Sequence, residues 1–144
     1  MPNYCSNSVR FIGNEDAVSK VKTLFEDIQT KQAKTNRYHM PDIVHGPAGY
    51  MSDIDTGIDW INYETRWVPN LEVLEDIARH YDLEFIAIYA EPMAGLYGEA
   101  VFTNGQTQFV NIDTYTQKGH GSNPAFRELK ELQASILIRG GLER

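Results

Sequence analysis

The sequence lacks the features that would place the protein outside the cell or in a membrane. Cys5 is the single cysteine among 144 residues, and one cysteine cannot form an internal disulfide, which agrees with a reducing compartment. No apolar run approaches the roughly 20 residues that a membrane-spanning helix needs. The opening MPNYCSNSVRF has no basic segment followed by a long apolar one, so no secretory signal is visible. We therefore expect a soluble domain in the cytoplasm.

Basic residues are scarce in the middle of the chain. Residues 41–100 contain two arginines against twelve aspartates and glutamates, a net charge of −10, whereas the whole chain carries −7. A surface with this charge repels the phosphates of nucleic acids and attracts basic partners. The simpler alternative is an acidic surface that only keeps the protein soluble.

Composition and periodicity predict one folded α+β domain. The hydrophobic fraction is 42%, which is ordinary for a globular protein, and 144 residues suit a single domain spanning 1–144. The patterns give the order β-α-β-α-β-β-β-α. Asn104-Gly105 predicts a tight hairpin turn between the last two strands. We expect a sandwich with a largely antiparallel sheet whose helices cover one face. The predicted strands are 8–12, 58–68, 83–90, 96–102 and the segment after Gly105, and the helices are 15–30, 71–81 and 124–139.

The segment 35–57 is predicted to be a long loop. It contains two prolines and three glycines and shows no sustained period. Connections longer than about 12–15 residues in compact domains are often functional. The alternative is a surface excursion packed by its own side chains, among them Tyr38, Met40, Ile43 and Tyr50.

Three segments resemble a known family. They are MPNYCSNSVRFIG at the start, DWINYETRWVPN at 59–70 and YAEPMAGLYGEAVFTNG at 89–105, the last keeping Glu91, Pro92, Gly95 and Gly98. Together they resemble the Api92-like or YubB-like proteins, which occur mostly in phages, prophages and plasmids. The resemblance covers residues 1–13 and 57–108 and implies a ferredoxin-like fold. It also implies two strands between the first two helices, so that the segment 41–57 would have to supply one. It implies no catalytic residue.

Acidic and aromatic residues occur together between residues 53 and 97. Aromatic side chains are enriched in protein interfaces, and an acidic surround suits a basic partner. The alternative for the aromatic residues is a hydrophobic core. We predict a non-enzymatic accessory protein of a mobile genetic element that binds a basic nucleic-acid-binding host protein, as a counter-defence inhibitor of a host immune complex. The last helix is a candidate for homodimer formation. The predicted contact residues are Asp53, Asp55, Asp59, Trp60, Tyr63, Glu64, Trp67, Glu91 and Tyr97.

Two other functional classes stay open. An RNA-binding module of ferredoxin-like topology would stack bases on sheet aromatics, although the net charge of this region opposes nucleic-acid binding. A small metal-dependent enzyme would use the 35–57 loop, with His39, His45 and Asp42 as ligands. The acids of 53–64 do not form a calcium loop, because glycine and isoleucine stand at its fifth and sixth positions. We predict no cofactor and no catalytic residue. Cys5 could act as a nucleophile only with a base and an orienting group close in space, and a cysteine beside the start of a strand is usually a small buried hydrophobe.

Overall fold

The described residues form a six-stranded antiparallel sheet with three α-helices, which confirms the α+β class. The computed structural model describes residues 4–44, 49–113 and 124–143. A short 3₁₀ turn, Pro92–Ala94, joins β4 to β5. The elements are β1 (Tyr4–Ile12), α1 (Glu15–Thr35), β2 (Ser52–Thr56), β3 (Ile61–Arg66), α2 (Leu71–Tyr81), β4 (Glu84–Glu91), β5 (Leu96–Thr103), β6 (Gln106–Asp113) and α3 (Pro124–Glu143).

The strand order across the sheet is β2-β3-β1-β4-β5-β6, and every neighbouring pair is antiparallel. This is not the classic ferredoxin order. Asn104 and Gly105 both have positive φ, as the predicted type I′ turn between β5 and β6 requires. Helix α1 begins where predicted, because the Asn14 side chain accepts hydrogen bonds from the backbone N–H groups of Asp16 and Ala17.

The strand β2 lies inside the segment that the residue pattern predicted as a loop. Its five residues contain one apolar side chain, that of Ile54, so they give no alternating hydrophobic signal. A second strand between α1 and α2 is what the family resemblance implied. The adjoining β3 is shorter than the predicted strand 58–68, since residues 57–60 form the turn that links it to β2. The Gly57 N–H donates to the Trp60 carbonyl across that turn at 2.9 Å.

The helices cover both faces of the sheet, and the prediction that they lie on one face is wrong. Helices α1 and α2 pack on one face against a core that includes Phe11, Phe85 and Phe102. Helix α3 packs on the opposite face, where Leu129 and Ile136 contact the alternate strand residues, among them Ile86. The cause is visible in β4, whose side chains alternate between the two faces of the sheet and are apolar on both, so that each face has to be covered by a helix. Helix α3 also continues to Glu143, past the predicted end at 139.

Candidate functional site

Four predicted contact residues form an acidic patch, which we define as Asp53, Asp55, Asp59 and Glu64. Asp53 and Asp55 lie on β2, Glu64 lies on β3, and Asp59 lies in the turn between them. The pKa of the Glu64 carboxyl is raised above its usual value, mainly by burial. The negative charge of Asp53 and a hydrogen bond between the two side chains raise it further. None of the four acids forms an ion pair with any residue of the described ranges. Asp53 and Glu64 are therefore in contact, and within the described residues no cation pairs with any of the four acids.

Trp60 lies beside the acidic patch, and the exposed Ile58 lies at the tip of the same turn. The Trp60 ring is half-buried because it packs against the apolar cluster under α3. Ile58 is 95% exposed. The patch therefore has an aromatic ring and an aliphatic side chain at its border, on the α3 side of the sheet.

Trp67 and Tyr97 are at the surface but are not brought to the acidic patch. Trp67 follows β3, at the end away from Trp60, and is 54% exposed with a φ of 69°. The length of β3 puts about 20 Å between the two tryptophans. Tyr97 lies on β5, half-buried, and its hydroxyl donates to Glu99 Oε2 at 2.6 Å. The predicted contact residues therefore do not form one continuous surface.

Tyr63 and Glu91, which we predicted as contact residues, lie in the interior and are not exposed to a partner. The Tyr63 hydroxyl donates to Asn70 Oδ1 at 2.6 Å, under the start of α2. Glu91 is buried at the end of β4, and its Oε2 accepts a hydrogen bond from the Ala94 N–H at 2.5 Å. The correction for Tyr63 follows from strand alternation, since it shares a face with Ile61 and Thr65, which point at the α1–α2 core.

A second concave surface, which the sequence did not indicate, lies between α2 and β6. We call it the aromatic groove, and it has a volume of about 790 Å³. The N-terminal half of α2 forms one wall, and the alternate residues Thr107, Phe109 and Asn111 of β6 form the other. Its aromatic rings are those of Tyr38, Tyr50, Tyr89 and Phe109.

The floor of the aromatic groove depends on Gly98. Gly98 pairs with Tyr89 across β4 and β5, and a Cβ at this glycine would lie 2.2 Å from Tyr89 Cε2. The missing side chain lets the Tyr89 ring lie over β5, where its hydroxyl donates to Asn111 Oδ1. Burial, and to a lesser extent the nearby Cys5, raises the pKa of Tyr89 to about 12, so the hydroxyl stays a neutral donor. Gly98 belongs to a segment that carries the family resemblance, which is the signal that could have marked this site.

Residues from the predicted loop complete the far end of the groove. The Tyr38 and Tyr50 rings stack with centroids 5.7 Å apart. The Arg66 guanidinium carbon lies 5.9 Å from the centroid of the Tyr38 ring, a cation–π contact. Asn70 Nδ2 donates to the Gly49 carbonyl at 3.0 Å and so ties the loop to the start of α2. The loop is therefore anchored by the groove that it helps to form.

The two acids on the α2 wall have different surroundings. Glu75 accepts a hydrogen bond from the Thr107 hydroxyl at 2.5 Å and pairs with Arg79 at 3.3 Å. Glu72 is exposed at the rim and forms no ion pair within the described part of the chain. Among the described residues the groove therefore presents two charged side chains without an ion-pair partner, Glu72 at the α2 rim and Arg66 at the far end beside Tyr38.

The residues considered for metal binding or nucleophilic chemistry do not form such a site in the described ranges. His39 contacts the Thr35 hydroxyl at 2.7 Å, while His45 lies outside the described residues. In residues 4–44, 49–113 and 124–143 no three His, Cys, Asp or Glu side chains are grouped to hold a metal ion. Burial raises the pKa of the Cys5 thiol to about 11, which disfavours the reactive thiolate.

These features define a ferredoxin-like α+β protein with two candidate binding surfaces, the acidic patch and the aromatic groove. A family profile described as a ferredoxin-like domain in Api92-like protein matches residues 48–129, more than half of the chain. The chain belongs to this family. The match runs from the segment before β2 into α3 and so includes the acidic patch and the aromatic groove apart from Tyr38. Searches of curated proteins and of solved structures gave no match. No helix in the described ranges is long and apolar enough to cross a membrane.

Proposed function

We propose that this protein is a non-enzymatic accessory protein of a phage or another mobile genetic element, and that it binds a basic host protein through the acidic patch. The observation that carries the proposal is the set of four carboxylates for which the described part of the chain supplies no ion-pair partner. Asp53 and Glu64 are held in contact although both are acids, and a lysine or arginine of a partner would relieve their repulsion. Trp60 and Ile58 supply apolar contact area at the border of the patch.

The class of partner follows from the charge. Nucleic acid is disfavoured because its phosphates would meet the acidic patch, whereas a host protein with a basic nucleic-acid-binding groove complements it. The resemblance to proteins of phages and plasmids supports a counter-defence role, in which this protein occupies the groove of a host immune complex and excludes nucleic acid. Catalysis has no part in this proposal.

The test is association with basic host proteins at low and high salt. The tagged protein is used to retain nucleic-acid-binding proteins from a lysate, and the retained proteins are identified and purified. We expect association that weakens as salt increases, because screening shortens the range of the patch's field. Retention of no basic nucleic-acid-binding protein, or retention that salt does not change, would contradict the proposal.

A matched pair of triple variants separates the patch from overall charge. One is Asp53→Asn/Asp55→Asn/Asp59→Asn, and the other neutralises three exposed acids of α1 and α3 in the form Glu26→Gln/Glu128→Gln/Glu131→Gln. Both change the net charge by the same amount. We expect the first to lose the partner and the second to keep it. Equal loss in both would mean that net charge alone governs the association.

The RNA-binding alternative is tested by titrating the protein with short single-stranded RNA at low salt. Stacking on Trp60 or Trp67 would quench tryptophan fluorescence. The metal-dependent enzyme is tested by metal analysis of the purified protein. A stoichiometric transition metal would favour that class over the binding protein proposed here.

A further inference from the structure

The two edges of the sheet differ in how they are protected against an added strand. The edge strand β2 has five residues, two of them aspartates, and its register with β3 shifts between Ser52 and Asp55. Two glutamines of α1 also donate to backbone carbonyls there, Gln29 to Ile54 and Gln32 to Met51, each at 2.8 Å. Short length, charge, irregular register and side-chain cover are the devices by which proteins block an edge.

Among residues 4–44, 49–113 and 124–143, none of these devices is found at the other edge strand, β6. It is eight residues long, its register with β5 is continuous, and residues 106–112 include neither a charged residue nor a proline. In the described ranges no strand pairs with its outer side. Phe109, in the middle of the strand, is 56% exposed. A long, uncharged edge with an exposed aromatic ring is a template for another β-strand.

The aromatic groove lies directly alongside this edge. Thr107, Phe109 and Asn111 of β6 form one of its walls, while Leu71, Glu72 and Glu75 of α2 form part of the other. In a strand added to β6, every second side chain would point to this face of the sheet. The volume of about 790 Å³ is within the range of small-ligand pockets and can receive several side chains. Main-chain hydrogen bonds with side-chain pockets are how proteins recognise extended peptides.

We propose that β6 and the aromatic groove form a docking site for an extended peptide segment of a partner protein, which adds to the sheet as a seventh strand. Apolar side chains of the peptide enter the groove, and a lysine or arginine pairs with Glu72 at its rim. Charge favours a basic peptide over a second copy of this chain. Pairing of β6 with itself would bring together two molecules of net charge −7, which repel each other, whereas a basic peptide is attracted by that charge. The site is separate from the acidic patch, which lies at the opposite edge of the sheet.

The experiment begins by selecting displayed random dodecapeptides on the full-length protein. We expect peptides in which apolar residues alternate with other residues and which contain Lys or Arg. A synthetic peptide of the consensus sequence is then added, and backbone amide exchange is measured. Addition of a strand slows exchange in β6 and leaves β2 unchanged. Failure to select peptides, or binding without protection of β6, would overturn the proposal.

Two variants locate the peptide, and a third serves as a control. Phe109→Ser is expected to weaken binding of the consensus peptide at least about tenfold, as loss of a central aromatic contact does. Glu72→Gln weakens the binding of peptides that contain Lys or Arg and leaves the binding of peptide variants without these residues unchanged. Ile58→Ser removes an exposed apolar side chain at the other edge and leaves binding unchanged. Equal affinity of the Phe109→Ser variant and the unaltered protein would overturn the proposal.

Two further outcomes are distinguishable. If β6 amides are protected in the protein alone, the protection falls on dilution, and the mass at high concentration is that of a dimer, then a second copy occupies the edge and the peptide proposal is wrong. The triple variant of the acidic patch should bind the consensus peptide as the unaltered protein does. Failure of the patch proposal therefore leaves this one standing, and the reverse is also true.

Discussion

Replacing Lys130 with methionine should weaken the attachment of α3 to the sheet. Glu99 is 1% exposed on β5, and its Oε1 accepts hydrogen bonds from Lys130 Nζ at 2.6 Å and from Gln133 Nε2 at 3.2 Å. Its Oε2 accepts the Tyr97 hydroxyl at 2.6 Å. Lys130 and Gln133 come from α3, so this buried carboxylate joins the helix to the sheet. The Lys130→Met variant keeps the aliphatic part of the side chain and removes the cation.

The expected loss of stability depends on the hydrogen bonds that Glu99 keeps in the Lys130→Met variant. Removing one member of a buried ion pair costs about 3–5 kcal/mol when the remaining charge has no other partner. Here the side chain of Lys130 is 48% exposed, and the tyrosine and glutamine donors stay in place. A hydrogen bond to a charged group contributes about 1.5–3 kcal/mol. We therefore expect a loss of about 2 kcal/mol in the free energy of unfolding, or roughly 6 °C in Tm for a chain of this size.

The assay is urea unfolding at neutral pH of a double-mutant cycle with Glu99→Gln. The single variants and the double variant should give a coupling energy of about 1 kcal/mol or more between the two side chains. Lys31→Met is the matched control, since Lys31 is exposed on α1 and outside the ion pairs of the described residues. If Lys130→Met costs no more than Lys31→Met, the buried carboxylate does not hold α3, and apolar contacts alone attach it.

Three further predictions concern other parts of the fold. Gly98→Ala should lower the free energy of unfolding in urea by about 1–3 kcal/mol, because its Cβ would overlap the Tyr89 ring, and combining it with Tyr89→Ala should recover part of the loss. Burial raises the pKa of Cys5 from 9.0 to about 11. The contribution of the neutral thiol to the free energy of unfolding is therefore fully present below pH 9 and falls by roughly 2–3 kcal/mol as the pH rises to 11. Cys5→Ala should remove this pH-dependent contribution from urea unfolding curves measured across that range. Because the pKa of Glu64 is raised by burial and by Asp53, the fold disfavours its charged form, so Glu64→Gln should stabilise the protein more at neutral pH than at acid pH; urea unfolding at the two pH values checks this, and an equal effect at both would contradict it.

The elements with strong periodicity could be predicted from the sequence, and the weakly patterned ones could not. The helices α1 and α2 follow from their apolar stripes, α1 also from its Asn14 cap, and the hairpin at Asn104-Gly105 follows from turn chemistry, all of which are local properties. The strand β2 escaped prediction because only Ile54 among its residues is buried. Its place in the sheet depends on pairing with β3 and on contacts with α1, which are not local.

The position of α3 could have been anticipated from β4. Phe85 and Ile86 are neighbours on that strand, both are apolar, and they point to opposite faces, so each face needed cover. The acidic patch was predicted in part, since its acids are close in sequence and the hairpin keeps them close in space. The aromatic groove was not predicted, because Tyr38, Tyr89 and Phe109 are far apart in sequence and meet only once the sheet is built.

The cover that Gln29 and Gln32 give to β2 has a consequence for stoichiometry. A sheet can grow from molecule to molecule only if both of its edge strands can pair, because each added molecule must offer a second unpaired edge to the next one. Here α1 closes one side, and among the described strands β6 is the one left with an uncovered outer side for the proposed strand addition. Any complex formed by strand addition therefore ends after one step, as a one-to-one assembly, and a filament cannot propagate from it.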